Sequence, residues 1–231
     1  MDKIEIRATQ LEKYITCPFK YKNDLPIDGD AEHFRFWTAL HKYIELRLVN
    51  LINETTEQMI FKDRWVKQRL MMIKMANLFE AKVQEKGYTL ICSEWTNEHF
   101  FEDLNIKLSW TFDHLFINKE WEYILVDAKT ASSKRSKEMR TSVRQNVIYP
   151  ALVKLKYWLD IKYFEYWVMT KKSNPSLEDI CFEITGDPVE DIYTFVKELR
   201  ESNTQNFFPP KYPNYSCWFC KLYDQCKNFT W

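Results

Sequence analysis

The chain has 231 residues, in which 33 Lys and Arg side chains balance 33 Asp and Glu side chains. A net charge of zero excludes a uniformly basic nucleic-acid coat, although it allows a local basic groove. With only three glycines, the sequence contains no Gly-rich phosphate-binding loop. No apolar run approaches the roughly 20 residues of a membrane helix, and the first residues carry no signal-peptide core. We therefore expect an intracellular, cytoplasmic protein.

Helical signals come first along the chain. Thr9–Glu12 has the form of a capping box, which predicts that a helix starts there and ends near Pro18. Apolar residues at helical spacing predict two further helices, over residues 34–51 and 63–86.

The pattern then changes to aromatic and β-branched runs with short polar breaks. Three strands of a meander are predicted, over residues 88–101, 104–117 and 121–129. The elements predicted after them are a helix over 137–158, strands over 163–170 and 179–184, and a helix over 188–201 that begins at Pro188. This order predicts an α/β fold in a single domain, with a helical lobe (1–87), a core with a mixed sheet (88–206) and a cysteine-rich tail (207–231).

Two acidic positions are candidates for a metal site. Asp127 and Lys129 are two residues apart at the end of a predicted strand, so their side chains share a face. A carboxylate can hold a hard cation, and a lysine beside it can orient water and offset negative charge. Asp113 lies on the preceding predicted strand, close enough along the chain to reach the same ion. Alone, a D-x-K triplet is usually part of a surface salt bridge, and a lone aspartate at a strand end can simply face water.

Two helical patterns complete the set of candidates. His41 lies in the middle of the second predicted helix, where a buried and hydrogen-bonded histidine is the simpler interpretation. Gln145 and Tyr149 are four residues apart, so they share one helix face.

Six cysteines are present, and three of them, Cys217, Cys220 and Cys226, fall within ten residues. Together with Cys17, they form a four-thiolate set that suits either zinc or an iron–sulfur cluster. The other two, Cys92 and Cys181, lie in apolar strands, and we expect them to be buried core residues.

These motifs together resemble the RecB-like branch of the PD-(D/E)XK nucleases. That branch has, in order, a helical histidine, a strand aspartate, a D/E-x-K strand and a Q-x-x-x-Y helix. The corresponding residues here are His41, Asp113, Asp127 with Lys129, and Gln145 with Tyr149. The four cysteines are similar to the iron–sulfur set of AddB nuclease domains and of the CRISPR-associated adaptation nucleases, including the Tyr14-x-x-Cys17-Pro18 context.

The resemblance implies a restriction-endonuclease-like core and a divalent metal. His41, Asp113, Asp127 and the carbonyl of Ala128 would bind magnesium or manganese, and the imidazole favours manganese. Lys129 would lie beside the attacking water, while Gln145 and Tyr149 would position the lysine or the DNA end. A 4Fe-4S cluster would be held by Cys17, Cys217, Cys220 and Cys226.

The implied function is a metal-dependent DNA exonuclease that acts on ends, with single-stranded DNA as the expected form, in recombination, repair or DNA processing. A helicase or another recombination protein is the expected partner, and the composition is compatible with a phage origin. Two alternatives stay open: an inactive DNA-end-binding subunit of a larger complex, and a cysteine-cluster interaction protein.

Several positions allow two interpretations. The segment from Lys129 to Arg144 has six basic residues and one acid, and would either follow the phosphate backbone or form a solvated helix start. Glu94 would be either an outer-shell carboxylate or a solvent-facing strand residue. The family often has glycine near the places that Trp37 and Trp110 take here, which reflects either the glycine-poor composition or a differently shaped groove.

Overall fold

The computed structural model describes residues 2–23, 31–62, 64, 66–131, 144–211, 217 and 220–227, with the backbone alone for 31–34. The strands in these ranges are β1 (Ile4–Arg7), β2 (Thr89–Phe101), β3 (Ile106–Ile117), β4 (Tyr123–Ala131), β5 (Ile161–Thr170) and β6 (Leu177–Glu183). The helices there are α1 (Ala8–Thr16), α2 (Pro18–Lys22), α3 (Ala31–Leu48), α4 (Glu54–Phe61), α5 (Val66–Lys86), α6 (Gln145–Tyr157), α7 (Pro188–Gln205) and α8 (Tyr223–Lys227).

All six strands belong to one mixed sheet, in which β3 has three neighbours. One edge of β3 is paired along its length with the antiparallel β2. The other edge is shared: β1 pairs in parallel with residues 106–109, and β4 pairs antiparallel with residues 114–117. Among the described residues this leaves residues 110–113 open on that edge, and Asp113 lies in the opening. The sheet continues with β5, parallel to β4, and with the antiparallel β6.

Helices cover both faces of the sheet and bury two apolar clusters. On one face, α1, α6 and α7 contribute residues such as Leu11 and Ile148, both fully buried. On the other face, α3 and α5 contribute residues such as Leu40 and Phe79. These apolar positions recur at helical spacing, which is why each helix turns one stripe to the sheet. The predicted mixed α/β core flanked by helices is therefore confirmed.

The start of the chain differs from the prediction. Residues 4–7 form β1, which the sequence analysis does not anticipate, so the first 87 residues are not purely helical. Helix α1 follows directly, with Arg7 as its N-cap, and the Oε1 atom of Gln10 accepts a 2.8 Å hydrogen bond from the backbone N–H of Arg7. The predicted capping box at Thr9–Glu12 is therefore wrong, because the helix begins earlier and Gln10 takes the capping role.

Other predicted elements are shifted by a few residues or missed. Helix α4 is missed; it begins after Asn53, whose side chain accepts a 2.9 Å hydrogen bond from the backbone N–H of Thr56. Pro188 does begin α7, after Asp187, whose side chain accepts a hydrogen bond from Val189. Most of the predicted basic segment, residues 132–143, lies outside the described residues, and Arg144 is exposed.

Candidate active site

The candidate site lies where β4 separates from β3. The pairing of these strands ends at His114 with Val126, so the backbone of the next residues in β4 no longer bonds to β3. The backbone N–H of Ala128 instead donates a 2.8 Å hydrogen bond to Oδ2 of Asp113. The carboxylate of Asp113 thus spans the gap between the two strands, which holds the two acidic motifs of the sequence together.

Asp127 and Lys129 share one face of β4, as their spacing predicts. The Nζ atom of Lys129 lies 2.9 Å from Oδ1 and 2.7 Å from Oδ2 of Asp127. Asp127 is only 3% exposed. An ion pair at this depth is not solvated surface charge, and its desolvation cost requires a compensating interaction.

The pKa values of Asp113 and Asp127 are both raised, and burial is the main cause in each case. Burial raises the pKa of Asp127, Lys129 opposes that rise, and the neighbouring Asp113 adds to it. Burial also raises the pKa of Asp113, against the effects of His41 and Lys129. Asp127 is buried and Asp113 is partly buried. Two carboxylates that interact in such surroundings favour sharing a proton or binding a cation, and a divalent cation would stabilise both in the charged form.

Glu165 shows what a structural buried carboxylate looks like in this fold. It is 1% exposed and accepts hydrogen bonds from Lys86 at 3.1 Å, Tyr88 at 2.9 Å and the indole N–H of Trp167 at 2.7 Å. Three donors from the protein itself satisfy this carboxylate, so its burial needs no ligand.

His41 projects from α3 toward the same opening. Its Nδ1 atom lies 2.8 Å from Oε1 of Glu94 and 3.7 Å from Oδ1 of Asp113. These three side chains offer ligand atoms that all lie within 4.8 Å of one another. The Nε2 atom of His41 is buried and has no hydrogen-bond partner among the described residues. Burial alone would lower the pKa of His41, but Asp113, Glu94 and Asp127 outweigh it and raise the pKa.

Glu94 occupies an unusual backbone position in the middle of β2. Its φ angle is +48°, in the left-handed region that a non-glycine residue rarely adopts. Such conformations cost free energy and concentrate at functional sites. The structure thus brings Glu94 into contact with His41, whereas the sequence favoured a solvent-facing strand residue over an outer-shell carboxylate.

Gln145 and Tyr149 approach from the opposite side, on α6. Both are buried, and Nε2 of Gln145 lies 3.4 Å from the hydroxyl of Tyr149. Burial raises the pKa of Tyr149, and the negative charges of Asp127 and Asp113 raise it further. Tyr149, with Gln145 beside it, therefore lies within electrostatic range of the two aspartates.

Glu12 is a site residue that the sequence analysis missed, because its place in a capping-box pattern gave it another role. It lies on α1 within electrostatic range of Lys129, Asp127 and Tyr149. Burial raises its pKa to about 7, although Lys129 opposes the rise. The sequence signal for Glu12 is its position next to Leu11, which is buried on the face of α1 that packs against α6.

We expect Glu12→Gln to stabilise the metal-free protein at alkaline pH. A carboxyl whose pKa rises from 4.5 to about 7 on folding destabilises the native state progressively as pH increases through that range, and fully above it. The variant should gain about 2 kcal/mol in unfolding free energy at pH 8 and nothing at pH 4, allowing for partial exposure. Urea titrations between these pH values measure the difference, and the exposed Glu120→Gln is the control. A gain that is equal at both pH values would contradict the assignment.

Cys226 lies within electrostatic range of Cys17, Cys217 and Cys220, but among the described residues the four do not form a group of ligand atoms as close as that of His41, Glu94 and Asp113. All six cysteines are free thiols. Burial raises the pKa of Cys226, and the charges of Cys17, Cys217 and Cys220 raise it further. The tail reaches α1 and α2 through bonds from Lys211 to the carbonyl of Ile15 and from Phe19 to the carbonyl of Pro209.

The two remaining cysteines differ from the prediction. Cys92 is half-buried against the core. Cys181 is exposed, so its predicted burial is wrong: it lies on the outermost strand, β6, in an alternation that turns it away from the core. The tail residues Trp218 and Phe219 lie outside the described residues.

Comparison with known proteins gives structural likeness alone. No protein-family model and no curated protein matches the sequence. In the described part of the chain, no helix has both the length and the apolar character of a membrane span. The fold is similar to that of a proposed exonuclease from Eubacterium rectale, with a TM-score of 0.56 and 10% identity over 98% of this chain and 89% of that one. A second solved structure, SSO0001, aligns with 100% of this chain and 89% of its own, at a TM-score of 0.43 and 15% identity. The chain thus has a mixed α/β fold like that of the proposed exonuclease.

Proposed function

We propose that this protein is a metal-dependent DNA exonuclease of the PD-(D/E)XK type, which hydrolyses phosphodiester bonds from DNA ends. The observation that carries the proposal is the opening between β3 and β4, where Asp113, Asp127 and Lys129 lie together beside His41. Carboxylates, a lysine and a histidine in one buried opening suit metal-assisted hydrolysis of a phosphodiester. The fold shared with the Eubacterium rectale protein is consistent with this assignment.

The residues present fit magnesium or manganese. His41, Asp113, Asp127 and the Ala128 carbonyl would hold the cation, and Glu94 would join them or orient His41. Two features support this fit: the buried Nε2 of His41 has no hydrogen-bond partner among the described residues, and the pKa of both aspartates is raised mainly by burial. A bound cation would offset the unfavourable burial of the two carboxylate charges.

The chemistry is divided between the cation and the protein. When bound, the cation would polarise the phosphate and lower the pKa of the attacking water. Lys129 would orient that water and stabilise negative charge on the phosphate oxygens, because its ammonium group is held beside Asp127 at the mouth of the opening. Gln145 and Tyr149 would position Lys129 or the DNA end from α6.

We also propose that Cys17, Cys217, Cys220 and Cys226 hold a 4Fe-4S cluster that joins the tail (207–231) to the start of the chain. The support is the spacing of the four cysteines in the sequence, together with the electrostatic influence of Cys17, Cys217 and Cys220, which adds to burial in raising the pKa of Cys226. Four thiolates in close proximity repel one another unless a metal offsets their charge. The helical lobe (1–87) and the core (88–206) would then act with this tail as a single nuclease domain.

The substrate that we propose is linear DNA with an accessible single-stranded end, processed in recombination or repair alongside a helicase or another recombination protein. Anaerobically purified protein should degrade end-labelled linear DNA with magnesium or manganese but not with EDTA. A closed circle should survive, because it offers no end. Intact linear DNA under every metal condition, with the protein folded and metal-loaded, would leave an inactive DNA-end-binding subunit as the better assignment.

A further inference from the structure

A pocket adjoins the candidate metal ligands and has walls that the metal site does not use. It has a volume of about 440 Å³ and lies between α3 and the β2–β3 pair. His41, Glu94 and Asp113 form its metal-binding end. The rest of its wall comes from Trp37, Thr38, Lys42, Glu45 and Thr111. A volume in this range suits a small-molecule-sized group such as one nucleotide.

Trp37 is the aromatic wall of this pocket and touches the reactive groups. Its ring centroid lies 3.9 Å from that of His41, with the planes inclined by 51°. The Nζ atom of Lys129 lies 5.9 Å from the centroid of the same ring. Because Trp37 is only half-buried, part of its indole stays accessible in the pocket, whereas Trp110 is 3% exposed and belongs to the apolar core.

The indole of Trp37 is not needed to orient its two neighbours, His41 and Lys129. His41 is already oriented by its hydrogen bond to Glu94, and Lys129 by its ion pair with Asp127. Polar groups also line the pocket. The Lys42 ammonium pairs with Glu45 at 2.6 Å, and the Thr111 hydroxyl lies 2.7 Å from that of Thr96. Both keep further hydrogen-bonding capacity for the edge of a base or a sugar. A flat aromatic wall beside polar groups is typical of sites that stack a nucleobase.

We infer that this pocket takes the terminal nucleobase of single-stranded DNA, which stacks on Trp37 and places the adjoining phosphate at the metal ligands. The inference rests on the proposed function and adds to it the recognition element for the DNA end. A paired terminal base already stacks within the duplex and must leave it before its face can meet the indole. The pocket therefore selects single-stranded or frayed ends over blunt duplex ends.

The test measures binding without cleavage, by fluorescence anisotropy of a labelled single-stranded oligonucleotide in calcium. One oligonucleotide ends in an ordinary nucleotide, and the other ends in an abasic one. Wild-type protein should bind the abasic end about 10-fold more weakly, as expected for one lost stacking contact. Trp37→Ala should bind both ends with the weaker affinity, and Trp37→Phe should restore most of the discrimination. The matched control is Trp121→Ala, which removes an 81% exposed tryptophan from the β3–β4 turn.

Each contrary outcome overturns a different statement. If Trp37→Ala distinguishes the two ends as well as wild type does, the stacking inference fails, while metal-dependent cleavage can still establish the nuclease. If wild type neither binds nor cleaves DNA, both the inference and the proposed function fail. If Trp37→Ala no longer distinguishes the two ends but the wild-type protein has no nuclease activity, the stacking inference holds and the pocket belongs to a DNA-end-binding protein. Thermal melts of each variant separate a local effect from unfolding.

Discussion

Replacing Lys129 with methionine should reduce the rate of DNA hydrolysis by about 10³-fold, and bound manganese, by offsetting the charge of Asp127, should keep the fold intact. The ammonium group is the positive charge held beside Asp127, and methionine keeps much of its aliphatic volume without that charge. Losing one group that stabilises developing charge costs about 10²- to 10³-fold, and losing proton-transfer assistance as well enlarges the effect. Initial rates on end-labelled single-stranded DNA in manganese measure the change.

The manganese affinity of Lys129→Met shows whether the variant loses only the chemical role of Lys129 or also the ability of the site to bind metal. Removing a cation next to two buried carboxylates should leave manganese affinity unchanged or tighter, because Lys129 and the metal compete for Asp127. Lys162→Met is the matched control, because Lys162 pairs with Glu183 at the opposite end of β5. A Lys129→Met variant that keeps more than a tenth of the wild-type rate would remove Lys129 from the proposed chemistry.

The sequence predicts the centre of this fold because its signals there are local. The meander of β2, β3 and β4 follows from alternating apolar runs and short turns, and it places Asp113 and Asp127 on adjacent strands. The period of two in a strand places Lys129 with Asp127. Pro188 marks the start of α7 because proline suits the first helical turn and lacks the N–H that would be unpaired there.

What the sequence did not predict depends on long-range contacts. The four residues of β1 alternate apolar and charged side chains as a strand does. The run is too short to predict a strand by itself, and it is ordered by pairing with β3. Glu12 reaches the site because β1 sets where α1 begins. The left-handed backbone of Glu94 has no local signal at all, since glutamate does not favour that conformation. Each of these residues acquires its role only when β1 and β4 have paired with β3.

Replacing Cys226 with serine should lower the unfolding free energy by about 5 kcal/mol, which corresponds to about 10 °C or more in Tm for a chain of this length. A cluster that joins Cys17 to the tail closes nearly the whole chain into a loop, and closing a loop of that size restricts the unfolded state most. Cys181→Ser, at an exposed position with no place in the set, should change stability by less than about 0.5 kcal/mol. Thermal melts of anaerobically purified protein measure both.

The same variant distinguishes the metal and tests its link to the site. Visible absorbance that disappears in Cys226→Ser but persists in Cys181→Ser would establish iron–sulfur, because a zinc site is colourless. Cys17 is the C-cap of α1, and Glu12 lies on the same helix beside Lys129. Releasing the tail should therefore loosen α1 and lower DNA hydrolysis at temperatures where the protein is still folded. Unchanged stability and unchanged colour in Cys226→Ser would remove the cluster from the proposal.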